Sequence, residues 1–207
     1  MNYLAHIYLS GANIDLRFGN FIADSVPGKK YMDYSGTIQE GILLHRKIDG
    51  FTDQHSIFRA HKKLLFEDHG HYSAVLIDMF YDHFLASLWP QYHEQTLEQF
   101  SLDFYNQIEL EQELLPSKLK LAFPYMRKKN WLLQYKSLEG LEDILGQMER
   151  RTKFKSNFKA SISNLKTHYA IYENGFCVFF EEMQKFVSSE SKKYKQILPY
   201  EIKIQII

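Results

Sequence analysis

Apolar residues recur at helical spacing along most of the chain. The strongest pattern covers residues 73–88, where apolar residues fall on nearly every side of the predicted helix and Trp89-Pro90 ends it. A helix that is apolar all round is buried, so we expect this segment at the centre of the protein. Further helical patterns cover residues 91–114, 117–135, 138–151 and 158–187. The chain is therefore predicted to be an all-α, single-domain helical bundle over residues 1–207, with 187–207 as a C-terminal extension.

The first third of the chain has shorter patterns. Residues 2–10 suit a short helix or strand, residues 11–19 suit a loop, and a short helical segment follows and ends at Val26-Pro27-Gly28. Residues 37–40, Thr-Ile-Gln-Glu, fit a capping box, so Thr37 is the predicted N-cap of a helix that weakens near Gly50. Asp53 then has two interpretations, as the N-cap of the next helix or as a ligand one turn further on.

The helix that starts near residue 37 carries a polar pair in line with an apolar stripe. Ile38, Ile42, His45 and Asp49 share one face, so the imidazole and the carboxylate point toward the core. A buried carboxylate is tolerated when it is paired, hydrogen-bonded or bound to a metal. The spacing alone leaves an internal His–Asp hydrogen bond and a metal site both open.

Other potential ligands are concentrated in the first 83 residues. Asn20 and Asp24 are again four positions apart, and the buried helix 73–88 carries three ionisable groups. The candidates are His6, Asn20, Asp24, His45, Asp49, Asp53, Asp78, Asp82 and His83. Imidazole and carboxylate ligands without thiolates favour manganese, iron, zinc or magnesium. Such a cation polarises a phosphoryl oxygen and activates a bound water, and the forked donors of Arg46 suit a phosphate oxygen.

Composition narrows the class of protein. With 45% hydrophobic and 15% aromatic residues, the chain is predicted to be folded and globular. Cys177 is the only cysteine, which excludes an intramolecular disulfide. There is no signal-peptide pattern at the start and no apolar run of roughly 20 residues, so we expect a soluble, intracellular protein without a membrane partner. No nucleic-acid partner is expected either.

Charge is balanced overall but unevenly distributed. Residues 1–115 contain 8 Lys and Arg against 16 Asp and Glu, whereas residues 116–207 contain 17 against 9. The acidic half suits cations and the basic half suits an acidic partner. Arg150 and Arg151 lie in a basic run of the second half and are the predicted docking residues for such a partner.

Four ordered motifs resemble one known family. They are residues 1–6 (MNYLAH), residues 19–24 (GNFIAD), Gly41 with residues 45–49 (HRKID) and 52–53 (TD), and Asp78 with residues 82–85 (DHFL). Together they resemble the acyl-carrier-protein phosphodiesterase family, a divergent, HD-domain-like group of phosphohydrolases. A weaker likeness at residues 131–135 and 168–169 extends it to about residue 186. One departure is that the adjacent pair here reads Asp82-His83, the reverse of an HD doublet, and His45 is followed by Arg46.

The resemblance implies a cytoplasmic hydrolase that removes 4′-phosphopantetheine from holo acyl carrier protein, a small acidic partner, with Mn²⁺ as the expected cofactor and Mg²⁺ or Fe²⁺ as alternatives. The predicted metal ligands are Asp24, His45, Asp49, Asp82 and His83, and His6 is a further ligand or general acid. Arg46 is expected to bind the phosphodiester. Asn20, Asp53, Asp78 and His168 are expected along the substrate site. Ligand chemistry alone also admits a phosphohydrolase of nucleotides or other small diesters, or a non-enzymatic helical interaction module; oligomeric state is not predicted.

Overall fold

The chain folds into α-helices joined by short turns, as a computed structural model describes for residues 1–150 and 157–193. The helices are α1 (Tyr3–Leu9), α2 (Ile14–Ile22), α3 (Gly36–Gln54), α4 (Ser56–His69), α5 (Ser73–Ser87), α6 (Leu97–Leu110), α7 (Ser117–Lys129), α8 (Trp131–Gln134), α9 (Leu138–Glu149), α10 (Ser161–Thr167) and α11 (Tyr169–Lys193). Within these described ranges there is no β-strand, so the all-α prediction is confirmed. None of the described helices is both long and apolar enough to cross a membrane.

Helix α5 lies at the centre, as its apolar pattern predicts. It packs against α1, α4, α9 and α11, and most of its side chains are buried. Tyr81 and Phe84 are fully buried and contact the aromatic rings of Phe176 and Phe179 on α11. Burial of such large rings stabilises the fold, because each ring removes a large apolar surface from water.

Helices α2 and α3 approach each other backbone to backbone. A Cβ atom on Gly19 would lie 2.1 Å from the carbonyl oxygen of Ile38, and one on Gly41 would lie 2.3 Å from that of Leu16. Only glycine permits this approach at either position. The close contact brings the side chains at the end of α2 next to the middle of α3, where the candidate site lies.

The predicted loop at residues 11–19 is wrong, because helix α2 already begins at Ile14. Asn13 precedes it, and its side-chain oxygen accepts the backbone N–H of Leu16, which is the ordinary N-cap arrangement. The predicted capping box is also wrong. Helix α3 begins at Gly36, so Thr37 lies inside it, and no side chain caps its start.

Helix α3 continues without a break through Gly50 to Gln54. Asp53 therefore lies in its last turn and is exposed, and the N-cap of α4 is His55 rather than Asp53. The predicted long helix at 158–187 is interrupted at His168, which separates α10 from α11. Helix α11 runs through residue 187 to Lys193, and the remainder of the predicted C-terminal extension lies outside the described residues.

A buried histidine outside the candidate site makes stability depend on pH. His61 is 4% exposed and its Nδ1 accepts the hydroxyl of Tyr81 at 2.9 Å, while burial lowers the pKa of His61 to about 4. Between about pH 6.5 and pH 4, His61 is therefore protonated in the unfolded chain but neutral in the folded chain. As the pH is lowered through this window, we expect His61 alone to reduce the free energy of unfolding by up to about 1.4 kcal/mol per pH unit. Urea unfolding of wild type and His61→Asn at pH 7.5, 6 and 5 measures this; equal pH slopes would contradict it.

Candidate metal centre

Three side chains from two helices converge on one point. His6 of α1 and His45 and Asp49 of α3 each offer a ligand atom, and these atoms lie within 4.8 Å of one another. Asp49 bridges the two rings: its Oδ1 lies 3.3 Å from Nε2 of His6, and its Oδ2 lies 3.1 Å from Nε2 of His45. The rings themselves stack, with centroids 3.9 Å apart. His45 and Asp49, four residues apart, thus contact each other across one turn of α3, and His6 joins them from another helix.

Asn20 of α2 orients this cluster from behind. Its backbone oxygen and its Oδ1 lie 2.9 Å and 3.0 Å from Nδ1 of His45, and both are acceptors, so Nδ1 carries a proton. Its Nδ2 donates to the carbonyl oxygen of His6 at 3.0 Å and to Oγ of Ser10 at 2.8 Å. A donor hydrogen bond at one ring nitrogen directs the other nitrogen to a metal. Asn20 therefore holds Nε2 of His45 toward the cluster, and its own side chain is fully buried.

Asp24 marks the open side of the cluster. It lies in a 3₁₀ turn at Ala23–Ser25 directly after α2, and its Oδ1 is 3.2 Å from Nε2 of His45. The Asp24 side chain is 71% exposed and that of Asp49 is 43% exposed, whereas both imidazoles are buried. A reactant therefore reaches the cluster past the two carboxylates.

Charges in the cluster are strongly coupled. Burial opposes protonation of His45, but the carboxylates of Asp24 and Asp49 together outweigh it and raise its pKa to about 9. The hydrogen bond to His45 lowers the pKa of Asp24. Burial opposes ionisation of Asp49, yet its contacts with His45 and His6 lower its pKa overall. The imidazolium of His45 is thus the cation between two carboxylates, and a divalent ion bound at this point would have to displace its Nε2 proton.

The state of His6 also fits a metal ligand. Burial and the neighbouring charge of His45 lower its pKa to about 4, so the ring is neutral near pH 7. Its buried Nε2 contacts the Asp49 carboxylate at 3.3 Å, and its buried Nδ1 has no hydrogen-bond partner among the described residues. A buried polar atom without a partner costs free energy, and a metal ion would satisfy it. Two neutral imidazoles and a carboxylate form a donor set that suits a first-row divalent cation.

Arg46 lies beside the cluster but contacts the chain that follows Asp24. One Nη2 donates to the carbonyl oxygen of Val26 at 2.9 Å, and the guanidinium lies 5.2 Å from the ring centre of Tyr31. The other guanidinium donors have no hydrogen-bond partner among the described residues, so they remain available to an anion.

Asp82 and Asp78 do not join the cluster as predicted. Asp82 is fully buried and accepts backbone N–H groups of Asn2, Leu4 and Ala5 at 3.2, 2.7 and 3.3 Å. Asp78 lies 2.6 Å from the amino group of Met1. Both oxygens of Asp82 and one oxygen of Asp78 thus bind the start of the chain, next to α1. In this structure the two carboxylates hold the helix that carries His6, and neither belongs to the group formed by His6, His45 and Asp49.

Three further predicted site residues lie apart from the cluster. His83 is engaged at both nitrogens, with Nδ1 2.7 Å from the carbonyl oxygen of Tyr135 and Nε2 3.0 Å from the hydroxyl of Tyr169. Burial lowers its pKa, so it is a neutral core residue. His168 lies at the junction of α10 and α11, and Asp53 is exposed at the end of α3. We therefore leave His83, His168 and Asp53 out of the candidate site.

The sequence also missed a supporting residue. Ser10 was not singled out, yet its hydroxyl donates to the carbonyl oxygen of His6 at 2.8 Å and accepts from Asn20. Its position four residues after His6 was the available signal, because residues at that spacing share a helix face. Of the predicted docking residues, Arg150 is exposed at the end of α9, where its Nε donates to the carbonyl oxygen of Gly146, and Arg151 lies outside the described residues.

Comparison with known proteins matches most of the chain. A family described as acyl carrier protein phosphodiesterase matches residues 1–183. The protein of that name from Photorhabdus laumondii is 29% identical over 198 residues, covering 94% of this chain and 98% of its own length. Those of Serratia proteamaculans and Yersinia pestis are each 28% identical over 186 residues, covering 89% of this chain and 96% of their own lengths. No solved structure matches the chain.

Proposed function

The chain belongs to the acyl carrier protein phosphodiesterase family, and from this premise we propose that it hydrolyses the bond between 4′-phosphopantetheine and a serine of holo acyl carrier protein. The family match begins at residue 1 and includes every residue of the cluster. The relatives match over nearly their whole lengths, which supports transfer of the whole activity rather than of one domain. The alternatives of a nucleotide phosphohydrolase and a non-enzymatic module have no observation in their favour.

The observation that supports metal dependence is the cluster of His6, His45 and Asp49. These three side chains would hold the ion, and Mn²⁺ is the proposed cofactor, with Mg²⁺ or Fe²⁺ as alternatives. A bound divalent cation polarises the phosphoryl oxygen and lowers the pKa of water. His6 is proposed as a ligand and not as a general acid, because its low pKa leaves it without a proton to donate near neutral pH.

The remaining residues act on the substrate and on water. Asp24 lies outside the three-residue cluster, and its lowered pKa keeps it ionised at the open side, so it is placed to orient the attacking water and accept its proton. The free donors of Arg46 bind a phosphodiester oxygen. Attack at phosphorus breaks the bond to the serine oxygen, which takes up a proton, and releases 4′-phosphopantetheine and the apo carrier protein. The proposed location is the cytoplasm, where carrier proteins serve fatty acid synthesis.

Intact-protein mass spectrometry tests the reaction directly. Holo acyl carrier protein is incubated with this protein in the presence of Mn²⁺, without added metal, and with a chelator. We expect a mass decrease equal to the phosphopantetheine arm with Mn²⁺, and none with the chelator, because the ion is needed to activate water.

The controls separate the two parts of this proposal. A mass decrease that survives complete chelation would contradict metal dependence while keeping the substrate. An unchanged carrier protein, with metal bound and the fold intact, would contradict the substrate and direct attention to nucleotides and other small diesters. Circular dichroism of the same samples shows whether the fold is intact.

A further inference from the structure

We propose that residues 25–34, here called the docking segment, bind the acidic surface of the carrier protein through Lys29 and Lys30 and through the apolar side chain of Met32. The inference rests on the proposed function, because it names the surface on which the substrate protein lies. It differs from the expectation that Arg150 and Arg151 form this surface.

The open side of the cluster determines where a protein substrate lies. The scissile phosphodiester is joined directly to a serine, so the carrier protein itself comes close to the cluster when its phosphorus reaches the ligands. The cluster opens past the exposed carboxylates of Asp24 and Asp49. The docking segment begins at the residue that follows Asp24, and its Lys30–Asp33 turn packs against α3, the helix that carries His45 and Asp49.

The docking segment is held in place by α3. Arg46 donates to the carbonyl oxygen of Val26 and lies over the ring of Tyr31, so one side chain contacts both the start of the segment and its Lys30–Asp33 turn. Nε2 of Gln39 donates to the carbonyl oxygen of Tyr34 at 2.7 Å. Because these three contacts already order the docking segment in the free protein, less conformational entropy is lost when a partner binds. The same arginine that faces the phosphodiester therefore also supports the surface beside it.

The two lysines of the docking segment form no ion pair with the part of the chain that the structure describes. Lys29 and Lys30 are exposed, and neither has an ion-pair partner among the described residues. By contrast, Lys47 on α3 pairs with Glu190, and Arg127 on α7 pairs with Glu109. Two adjacent unpaired lysines next to the site attract an acidic surface and orient its approach.

An apolar contact lies next to these charges. Met32 is 61% exposed, two residues after Lys30 and in the same 3₁₀ turn. A flexible apolar side chain between charged residues, here Lys30 and Asp33, is typical of a protein contact surface, because it adapts to the partner and adds apolar burial. Helix α9, which ends at Glu149 directly before Arg150, packs instead against α5, α8 and the turn at Phe158–Ala160.

Charge reversal with a matched control tests this surface. K29E/K30E and K128E/K129E each change the charge of two adjacent, exposed lysines, and the second pair lies at the end of α7. Steady-state hydrolysis of holo carrier protein is measured at low and high salt, together with direct binding of apo carrier protein. We expect K29E/K30E to lower kcat/KM by about 10- to 100-fold at low salt, mainly through KM, and to lose most of this effect at high salt. K128E/K129E is expected to behave as wild type.

The outcomes separate docking from catalysis. If K29E/K30E binds apo carrier protein more weakly than wild type does, the docking segment is supported. This holds even if the wild type does not hydrolyse the holo form, a result that would contradict only the proposed function. Unchanged KM and binding in K29E/K30E overturn the inference. A loss carried by K128E/K129E, or by R150E/R151E, instead of K29E/K30E also overturns it and places docking on the second half of the chain.

Discussion

Replacing Asp49 with asparagine is expected to abolish tight metal binding and to lower the rate of carrier-protein hydrolysis by more than about 100-fold. Loss of a supporting residue outside the ligand set already costs roughly 10- to 100-fold at metal sites, and Asp49 lies inside the set. Its two oxygens approach Nε2 of His6 and Nε2 of His45, so it is the side chain that joins both imidazoles. Asparagine retains the shape but removes the charge and one acceptor oxygen.

The measurement combines metal content, turnover and fold. Metal bound per chain is determined after dialysis, hydrolysis is followed by mass spectrometry, and helical content by circular dichroism. Glu40→Gln is the matched control, because it removes another carboxylate of α3 that lies outside the cluster. Near-normal turnover of Asp49→Asn with normal fold would show that the cluster is a structural His–Asp network and not a metal site.

Replacing Gly41 with alanine is expected to reduce the free energy of unfolding by about 3 kcal/mol or more and to lower Tm by roughly 10 °C. The new methyl group would lie 2.3 Å from the carbonyl oxygen of Leu16 and 2.9 Å from the backbone nitrogen of Asn20. Both contacts are backbone atoms of α2, which cannot rotate away as a side chain does. Helices α2 and α3 must separate, so Asn20 moves from the ring of His45 and activity falls together with stability.

Gly50→Ala provides the control on the same helix. Nothing lies within 4 Å of a Cβ atom at this position, so alanine only restricts the unfolded chain and favours the helix. We expect it to stabilise the protein by about 0.5–1 kcal/mol. Thermal unfolding followed by circular dichroism compares the two variants with wild type. Equal and small shifts for Gly41→Ala and Gly50→Ala would show that α2 and α3 are not in close backbone contact.

Local spacing was sufficient for the features that lie within one helix. The apolar pattern of residues 73–88 determined that α5 is central, because a helix with no polar face finds no stable place at the surface. The pairing of His45 with Asp49 followed in the same way, since residues four apart lie on one face. Several predicted boundaries were wrong. At Gly19 the close contact with α3 outweighed the local turn signal, so α2 includes this residue. Helix α3 continues through Gly50, where nothing lies within 4 Å of a Cβ atom.

By itself, then, the sequence determined the all-α class, the buried central helix and one imidazole–carboxylate pair. Only the tertiary structure decided which other buried polar side chains contact that pair. His6 and Asn20 reach it from separate helices. Asp82, equally buried and equally ionisable, is instead used by the backbone N–H groups that begin α1. Each buried polar atom needs a partner, and which partner it finds depends on how distant segments pack, which no spacing along one helix specifies.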